Sequence, residues 1–270
     1  MTPKPDDVLV LGSGGPDSLI AFLYERAQCG PGSVYYGQIV LPTWASEVEL
    51  AAVDAIVRNG LFGPFKNSPV LRLGSLTCVR EKEDAEVPLR NLLMLTAAAS
   101  LGFSDIVIAV QQDEMAVPDR TSEFLADTEI FLSRLCNRAL KIRTPFKDMD
   151  KTDMVGWALS RPGGQENFRN RELLEASWSC YRPIRTSASD AYESSTHRTP
   201  FMHCGDCPAC VRRFIAFKPF GVQTSYMVPV NPDFSLAASK YLSAAREGKY
   251  SPKRCKRILD ALAVSESSNG

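Results

Sequence analysis

A chain of 270 residues with 44% hydrophobic and 23% charged residues has the material for a sizeable core, which excludes disordered and fibrous classes. Lys plus Arg and Asp plus Glu both number 31, so no overall field draws the protein to nucleic acid or to an anionic membrane. No apolar run approaches the roughly 18 residues of a membrane helix, and the first residues carry no signal-peptide core, so a cytoplasmic protein is expected.

Val8-Leu9-Val10-Leu11 has the character of a buried strand and passes into Gly12-Ser13-Gly14-Gly15-Pro16-Asp17-Ser18, after which a helical pattern runs over 19–27. The glycines allow a sharp turn and a close approach of backbone to ligand. The N–H groups that open the helix, with the Ser13 and Ser18 hydroxyls beside them, make an anion site. Pro16 fits the first helical turn, where its missing N–H is not needed. The loop resembles the PP-loop of ATP pyrophosphatases, Ser-Gly-Gly-x-Asp-Ser, which implies ATP binding with release of pyrophosphate. It lacks the Gly-Lys-Ser/Thr ending of a Walker A loop.

Residues 33–41 read as a strand, 44–59 as an amphipathic helix closed by Asn59-Gly60, and 69–73 as a short strand. An apolar helix is expected over 91–101, stopped by Gly102, then a buried strand over 105–110, a helix over 122–140 and a fifth strand opening at 142–146. This alternation predicts an α/β fold, a five-stranded parallel sheet with helices on both faces, whose ligand lies beyond the carboxyl ends of the strands. Asp150 is a natural N-cap for another helix, which Arg161-Pro162-Gly163-Gly164 breaks. Composition changes at 176, dividing the chain into a nucleotide-binding domain over 1–175 and a metal-binding helical subdomain over 176–270. Within the latter, 182–200 reads as a long exposed loop, 235–246 and 253–264 as helices, and the last residues as a disordered end. The run Lys253-Arg254-Cys255-Lys256-Arg257 reads as a solvated helix end, so a nucleic-acid partner is not expected.

The eight cysteines of a reducing compartment are not expected to form a disulfide framework. Cys29, Cys78, Cys136 and Cys255 stand alone and read as small core hydrophobes. Cys204-Gly205-Asp206-Cys207-Pro208-Ala209-Cys210 brings three thiolates together through turns containing Gly and Pro, the pattern of a structural zinc site. The fourth ligand is Cys180 or His203. An iron–sulfur cluster, which also takes cysteines, ranks below zinc. A closed site holds structure and performs no catalysis; its expected task is to pin the Cys180 region and the helix over 211–218 against the nucleotide domain.

Taken together, the motifs resemble the QueC family of 7-cyano-7-deazaguanine (preQ0) synthases from about Val8 to Phe217. Besides the PP-loop, Tyr36-Gly37-Gln38, Val87-Pro88-Leu89-Arg90-Asn91, Pro118-Asp119-Arg120 with Glu123-Phe124, Thr144-Pro145-Phe146 with Asp150-Lys151, and Ser179-Cys180-Tyr181 stand in the family's order. The resemblance implies Cys180, Cys204, Cys207 and Cys210 as zinc ligands. It implies ATP-dependent adenylation of the carboxylate of 7-carboxy-7-deazaguanine, amidation by ammonia, and a second activation that dehydrates the amide to the nitrile. Ser13, Gly14, Gly15, Asp17 and Ser18 would hold pyrophosphate with Mg2+, and Tyr36, Gln38 and Asn91 would complete the nucleotide site. Arg90 and Lys151 would act with Asp17 in catalysis, and Asp113, Asp119 and Arg120 would face the deazaguanine. A homodimer is a further expectation.

The departures lie on the substrate side. Ile39-Val40 replaces an Arg-His pair, Leu89 replaces a Gly, the interval from Cys180 to Cys204 is long, and the tail after Phe217 has no counterpart. Two other readings therefore stay open. One is a QueC-like antiphage-defence enzyme that transfers the activated deazaguanine to a protein amine. The other is a non-catalytic nucleotide sensor, against which the intact loop argues.

Overall fold

The structure is a computed structural model that describes residues 3–30, 32–40, 43, 45–62, 70–75, 87–112, 117–160, 164–186 and 201–263, with backbone alone at 72–75 and 164–168. Two compact units divide it, Met1–Trp178 and Ser179–Gly270.

The first unit holds five strands, β1 (Val8–Leu11), β2 (Val34–Val40), β3 (Val70–Ser75), β4 (Asp105–Ile108) and β5 (Lys141–Arg143), all parallel and ordered β3-β2-β1-β4-β5. Its helices are α1 (Pro16–Cys29), α2 (Ser46–Arg58), α3 (Arg90–Ser100), α4 (Ser122–Leu135), α5 (Lys151–Leu159) and α6 (Gly164–Ala176). Side chains of β1 are buried on both faces. Leu9 and Leu11, with Ile106 and Ile108, pack against Met94, Leu95 and Ala98 of α3 and Leu125 and Leu132 of α4. On the opposite face Phe22 of α1 meets Tyr36 and Phe62 edge-on, with ring centroids 5.9 and 4.8 Å apart. The expected layered α/β architecture is present. The strand order reverses at β1, with β2 and β3 on one side and β4 and β5 on the other, and ligands of such sheets bind beyond the carboxyl ends of the strands at this switch point.

Several boundaries differ from the sequence pattern. Helix α4 stops at Leu135, and Asn137 takes a left-handed φ of 49°, so the helix does not reach 140. Strand β5 ends at Arg143 because Pro145 lacks an N–H and restricts Thr144 before it. Helix α6 starts where Arg161-Pro162-Gly163-Gly164 announced only a break. Its sequence is mostly polar, which hides it from an amphipathic pattern; among the described side chains Asn170, Leu173 and Leu174 are buried.

In the second unit β6 (Ile184–Arg185) and β7 (Phe201–Met202) form an antiparallel pair, followed by α7 (Pro208–Phe217), α8 (Leu236–Arg246) and α9 (Pro252–Leu262). Ile184 and Arg185 thus belong to a ladder and not to an open loop; residues 187–200 lie outside the described residues. The two tail helices pack on α7: Val211 and Ile215 share a core with Ala238, Leu242 and Ala245 of α8 and Ile258, Ala261 and Leu262 of α9.

Of the lone cysteines, Cys136 packs against the core of the first unit and Cys255 against that of the second, while Cys29 lies outside the core. Cys29 is exposed, and Cys136 and Cys255 are half-buried, while Cys78 lies outside the described residues. Cys29 stands at the exposed end of α1; the Cys255 thiol faces the Tyr250 carbonyl at 3.4 Å. No helix among the described residues is long and apolar enough to cross a membrane.

Candidate active site and metal centre

The loop after β1 is built from the inside. Gly12 N–H donates to the Gly37 carbonyl at 2.9 Å, carrying the pairing with β2 one residue past the strand. A Cβ on Gly12 would fall within the Tyr36 phenol, so glycine is required there. Gly14 has φ +85°, the left-handed region that only glycine enters freely. Its N–H donates to the buried Tyr36 Oη at 2.7 Å, which lies 2.7 Å from Ser18 Oγ. Ser18 Oγ donates to the Gly15 carbonyl at 3.0 Å, so the phenol proton goes to Ser18 and the three bonds run in one direction. Tyr36 and Ser18 therefore pin the loop from its inner side. Ser13, Gly15 and Asp17 remain partly exposed. Gly15 is the N-cap of α1 and Pro16 its first residue, and no described side chain caps this end. An uncapped helix N-terminus at a glycine turn fits phosphate oxygens.

Two distant segments converge on Asp17. Its Oδ2 accepts from Lys151 Nζ at 2.7 Å and from Gln111 Nε2 at 2.7 Å. Lys151 opens α5, whose N-cap Asp150 accepts from Asp153 N–H at 3.0 Å, as the sequence indicates. Gln111 lies just past β4 and is buried. The Lys151 and Asp17 side chains are only 15% and 19% exposed, so the pair is weakly screened. Asp17 Oδ1 is buried with no partner among the described residues. A carboxylate oxygen left over beside a phosphate-shaped loop is the hard donor that Mg2+ takes together with phosphate oxygens.

A second group gathers at the start of α3. Asn91 N–H donates to Asp119 Oδ2 at 3.1 Å and Asn91 Nδ2 to the Asp119 carbonyl at 3.0 Å. Asp119, in a single 3-10 turn over Pro118–Arg120, thus commits one oxygen to the α3 N-terminus. Arg90 and Arg120 are half-buried, and Arg90 Nε is buried without a partner among the described residues. Leu89, the N-cap position, is held at φ 58°. Gln38 is buried on β2; its Nε2 donates to the Glu49 carbonyl at 3.3 Å, and its Oε1 has no partner among the described residues. Asp113 lies outside the described residues. The sequence reading missed Gln111. Gln111 carried one signal: it stands just after the strand that flanks the switch point.

The second unit holds Cys180, Cys204, Cys207 and Cys210, all buried, with their sulfurs within 4.8 Å of one another. Cys204 and Cys210 sulfurs are 3.8 Å apart, and those of Cys207 and Cys180 4.0 Å. A tetrahedron with Zn–S bonds of about 2.3 Å has edges of roughly 3.8 Å, so the four thiols fit zinc. The four thiols share their protons: hydrogen bonds within the group lower Cys207 and Cys204 and raise Cys180 and Cys210. Cys207 also caps α7, its sulfur accepting from Cys210 N–H at 3.4 Å. His203 stands next to the cluster with Nδ1 3.9 Å from Cys210 Sγ. Burial, and then the charge of Arg213, hold its imidazole well below its usual range, so the ring is neutral. Cys180 completes the four-sulfur group, and His203 stays outside it.

The model of the family described as queuosine biosynthesis protein QueC matches residues 7–221, which span both the loop and the four cysteines. The chain belongs to the QueC family. The 7-cyano-7-deazaguanine synthase of Parvibaculum lavamentivorans is 27% identical over 236 residues, covering 78% of this chain and 94% of the relative. That of Methanococcus vannielii is 23% identical over 244 residues, covering 80% and 97%. That of Methanococcus aeolicus is 29% identical over 172 residues, and there the chain covers 64% of the relative's length, slightly under two thirds. In this QueC-family chain α8 and α9 follow the matched span.

Proposed function

We propose that this protein activates the carboxylate of 7-carboxy-7-deazaguanine with ATP, aminates it with ammonia and dehydrates the amide toward preQ0. The observation that carries the reading is the convergence of Lys151, Gln111 and an orphaned carboxylate oxygen on Asp17, beside an uncapped helix N-terminus. The relatives' names supply the product, 7-cyano-7-deazaguanine, and the motif resemblance supplies the carboxylate from which it is made.

The chemistry follows from leaving groups. Hydroxide leaves a carboxylate poorly, whereas AMP leaves an acyl phosphate anhydride well. A carboxylate oxygen of the substrate attacks the α-phosphorus of ATP, and the bond to pyrophosphate breaks. Ammonia then attacks the acyl carbon, AMP departs and a proton is lost, giving the amide. In the second activation the amide oxygen takes the AMP, and loss of AMP with the remaining N–H protons leaves the nitrile. In each activation negative charge builds on the departing pyrophosphate. The N–H groups opening α1 and the Lys151 ammonium would face that charge, already fixed in place before reaction. Mg2+, held through Asp17 Oδ1, would share it. Ser13, Gly14 and Gly15 would contact phosphate, while Tyr36 and Ser18 keep the loop in shape. Gln38, Asn91 and Arg90 would extend the nucleotide site, and Asp113, Asp119 and Arg120 the deazaguanine site. A zinc ion closed by four thiolates has no open position and serves structure alone.

The acceptor is the finer question. Ammonia is the reading proposed; the helix pair outside the matched span is what supports a protein amine as the second. Exchange of labelled pyrophosphate into ATP tests the activation step. Exchange that requires 7-carboxy-7-deazaguanine is expected; a chain that binds ATP but shows no such exchange would be a sensor.

A further inference from the structure

Helix α4 is anchored in the core of the first unit by Leu125 and Leu132, with Thr128 buried between them. An amphipathic helix held this way turns a polar face to water. The outer face of α4 does carry Glu123, Asp127 and Arg134, all exposed. It also carries Ile130, Phe131 and Leu135, which are 51%, 55% and 67% exposed. Among the described residues no other helix exposes three large apolar side chains. Single exposed apolar residues are ordinary, but several within two turns of one helix mark an interaction surface.

The charges around this patch narrow what it can meet. A helix advances about 100° per residue, so Asp127 and Arg134 lie on nearly one line along the outer face. Ile130 and Phe131 straddle the midpoint of that line, one on each side. Let a second copy of α4 lie antiparallel, related by a two-fold axis passing between positions 130 and 131. Asp127 of each copy then faces Arg134 of the other, and the two contacts are identical. On one side of this line Phe131 meets its own counterpart, and on the other side Ile130 does. A parallel arrangement would instead set Asp127 against Asp127 and Arg134 against Arg134, and like charges so placed repel. The order acid, apolar pair, base is complementary to its own reverse.

We propose that the outer face of α4 is a self-association surface, which binds the same face of a second copy of this chain antiparallel across a two-fold axis. The proposal goes beyond the ATP-dependent chemistry and does not rest on it. Helix α4 has 14 residues and is therefore about 21 Å long. One helix pair of that length falls short of the roughly 800 Å2 per partner of a standard interface. The dimer is accordingly reversible, and its equilibrium can be measured.

Sedimentation equilibrium of the full-length protein at low salt, over about 1–100 μM, tests this. The wild-type chain should dimerise within that range. Phe131→Glu should weaken association at least about 10-fold by placing two carboxylates together in the patch. Asp127→Arg and Arg134→Asp should each weaken it by at least about 10-fold, since each sets like charges face to face. The decisive arm mixes these two single variants in equal amounts. In the mixed pair the arginine introduced at 127 faces the aspartate introduced at 134, and the native Arg134 of one chain faces the native Asp127 of the other. Both ion pairs return, so the mixture should associate as tightly as wild type. A wild-type chain that stays monomeric throughout would overturn the proposal and leave the stripe to a different protein. A dimer untouched by Phe131→Glu would overturn it by placing the contact on another face. A mixture that associates no better than its components would overturn the antiparallel register.

Discussion

Lys151 Nζ lies 2.7 Å from Asp17 Oδ2, joining two side chains 134 positions apart in the sequence at the mouth of the glycine loop. The ammonium is oriented before any nucleotide arrives, and the other oxygen of Asp17 is left over. Replacing Lys151 with Met should lower the rate of substrate-dependent pyrophosphate release about 100- to 1,000-fold, the loss expected when one fixed stabiliser of developing charge is removed. Asp17→Asn, equal in size, should fall similarly. Melting temperatures close to wild type would show that chemistry and not folding has been lost; near-normal rates would remove both residues from the site.

Tyr36 should act through the loop and not through the ligand. Tyr36→Phe keeps the ring against Phe22 and Phe62 but removes the oxygen that receives Gly14 N–H. A buried N–H left unpaired costs about 1–3 kcal/mol. The variant should lose stability of that order in urea unfolding and raise KM for ATP more than it lowers kcat. A selective fall in kcat would place the phenol in the chemistry instead.

Much of this site was legible because its parts are neighbours in sequence. Strand, glycine turn and helix N-terminus are covalently linked, so Ser13 to Ser18 could be read directly. The cysteine cluster was legible for the same reason, with Cys180 left in competition with His203 until the sulfurs could be compared in space. Contacts between distant segments were harder. Gln111 reaches Asp17 from 94 positions away, a pairing that depends on which strands are adjacent. The direction of Asp119, turned onto the α3 N-terminus, follows from a short 3-10 turn with no periodicity to reveal it. Helix α6 escaped notice because its mostly polar sequence carries no amphipathic pattern.

Leu89 gives a stability prediction. It is 58% exposed yet held at φ 58°, where a side chain clashes with its own backbone. That conformation costs an L-residue roughly 1–2 kcal/mol, part of which glycine returns through its freer unfolded chain. Leu89→Gly should therefore stabilise the protein by about 0.5–1 kcal/mol. A shift of the urea midpoint to higher concentration is expected, and a shift to lower concentration would mean that Leu89 makes a compensating contact.

Asp206 links the cysteine loop to the tail. Its Oδ1 accepts from Ser235 Oγ at 2.8 Å and from Ala237 N–H at 3.0 Å, reinforcing the N-terminus of α8, while Ser235 Oγ accepts from Ala238 N–H at 3.1 Å. Loss of such a cap costs about 1 kcal/mol. Asp206→Ala should raise amide hydrogen exchange in α8 and leave pyrophosphate exchange unchanged. Unaltered protection of α8 would show that its packing on α7 suffices.

The central claim is that the loop, Asp17 and Lys151 activate a deazaguanine carboxylate. The most direct measurement incubates the pure protein with 7-carboxy-7-deazaguanine, ATP and magnesium, with and without ammonium, and identifies bases and nucleotides by mass spectrometry. Base and ammonium together should give AMP, pyrophosphate and preQ0 or its amide precursor, whereas the base alone should give pyrophosphate and the acyl adenylate with no amide or nitrile. ATP left intact in the presence of the base, with zinc bound and the protein folded, would contradict it.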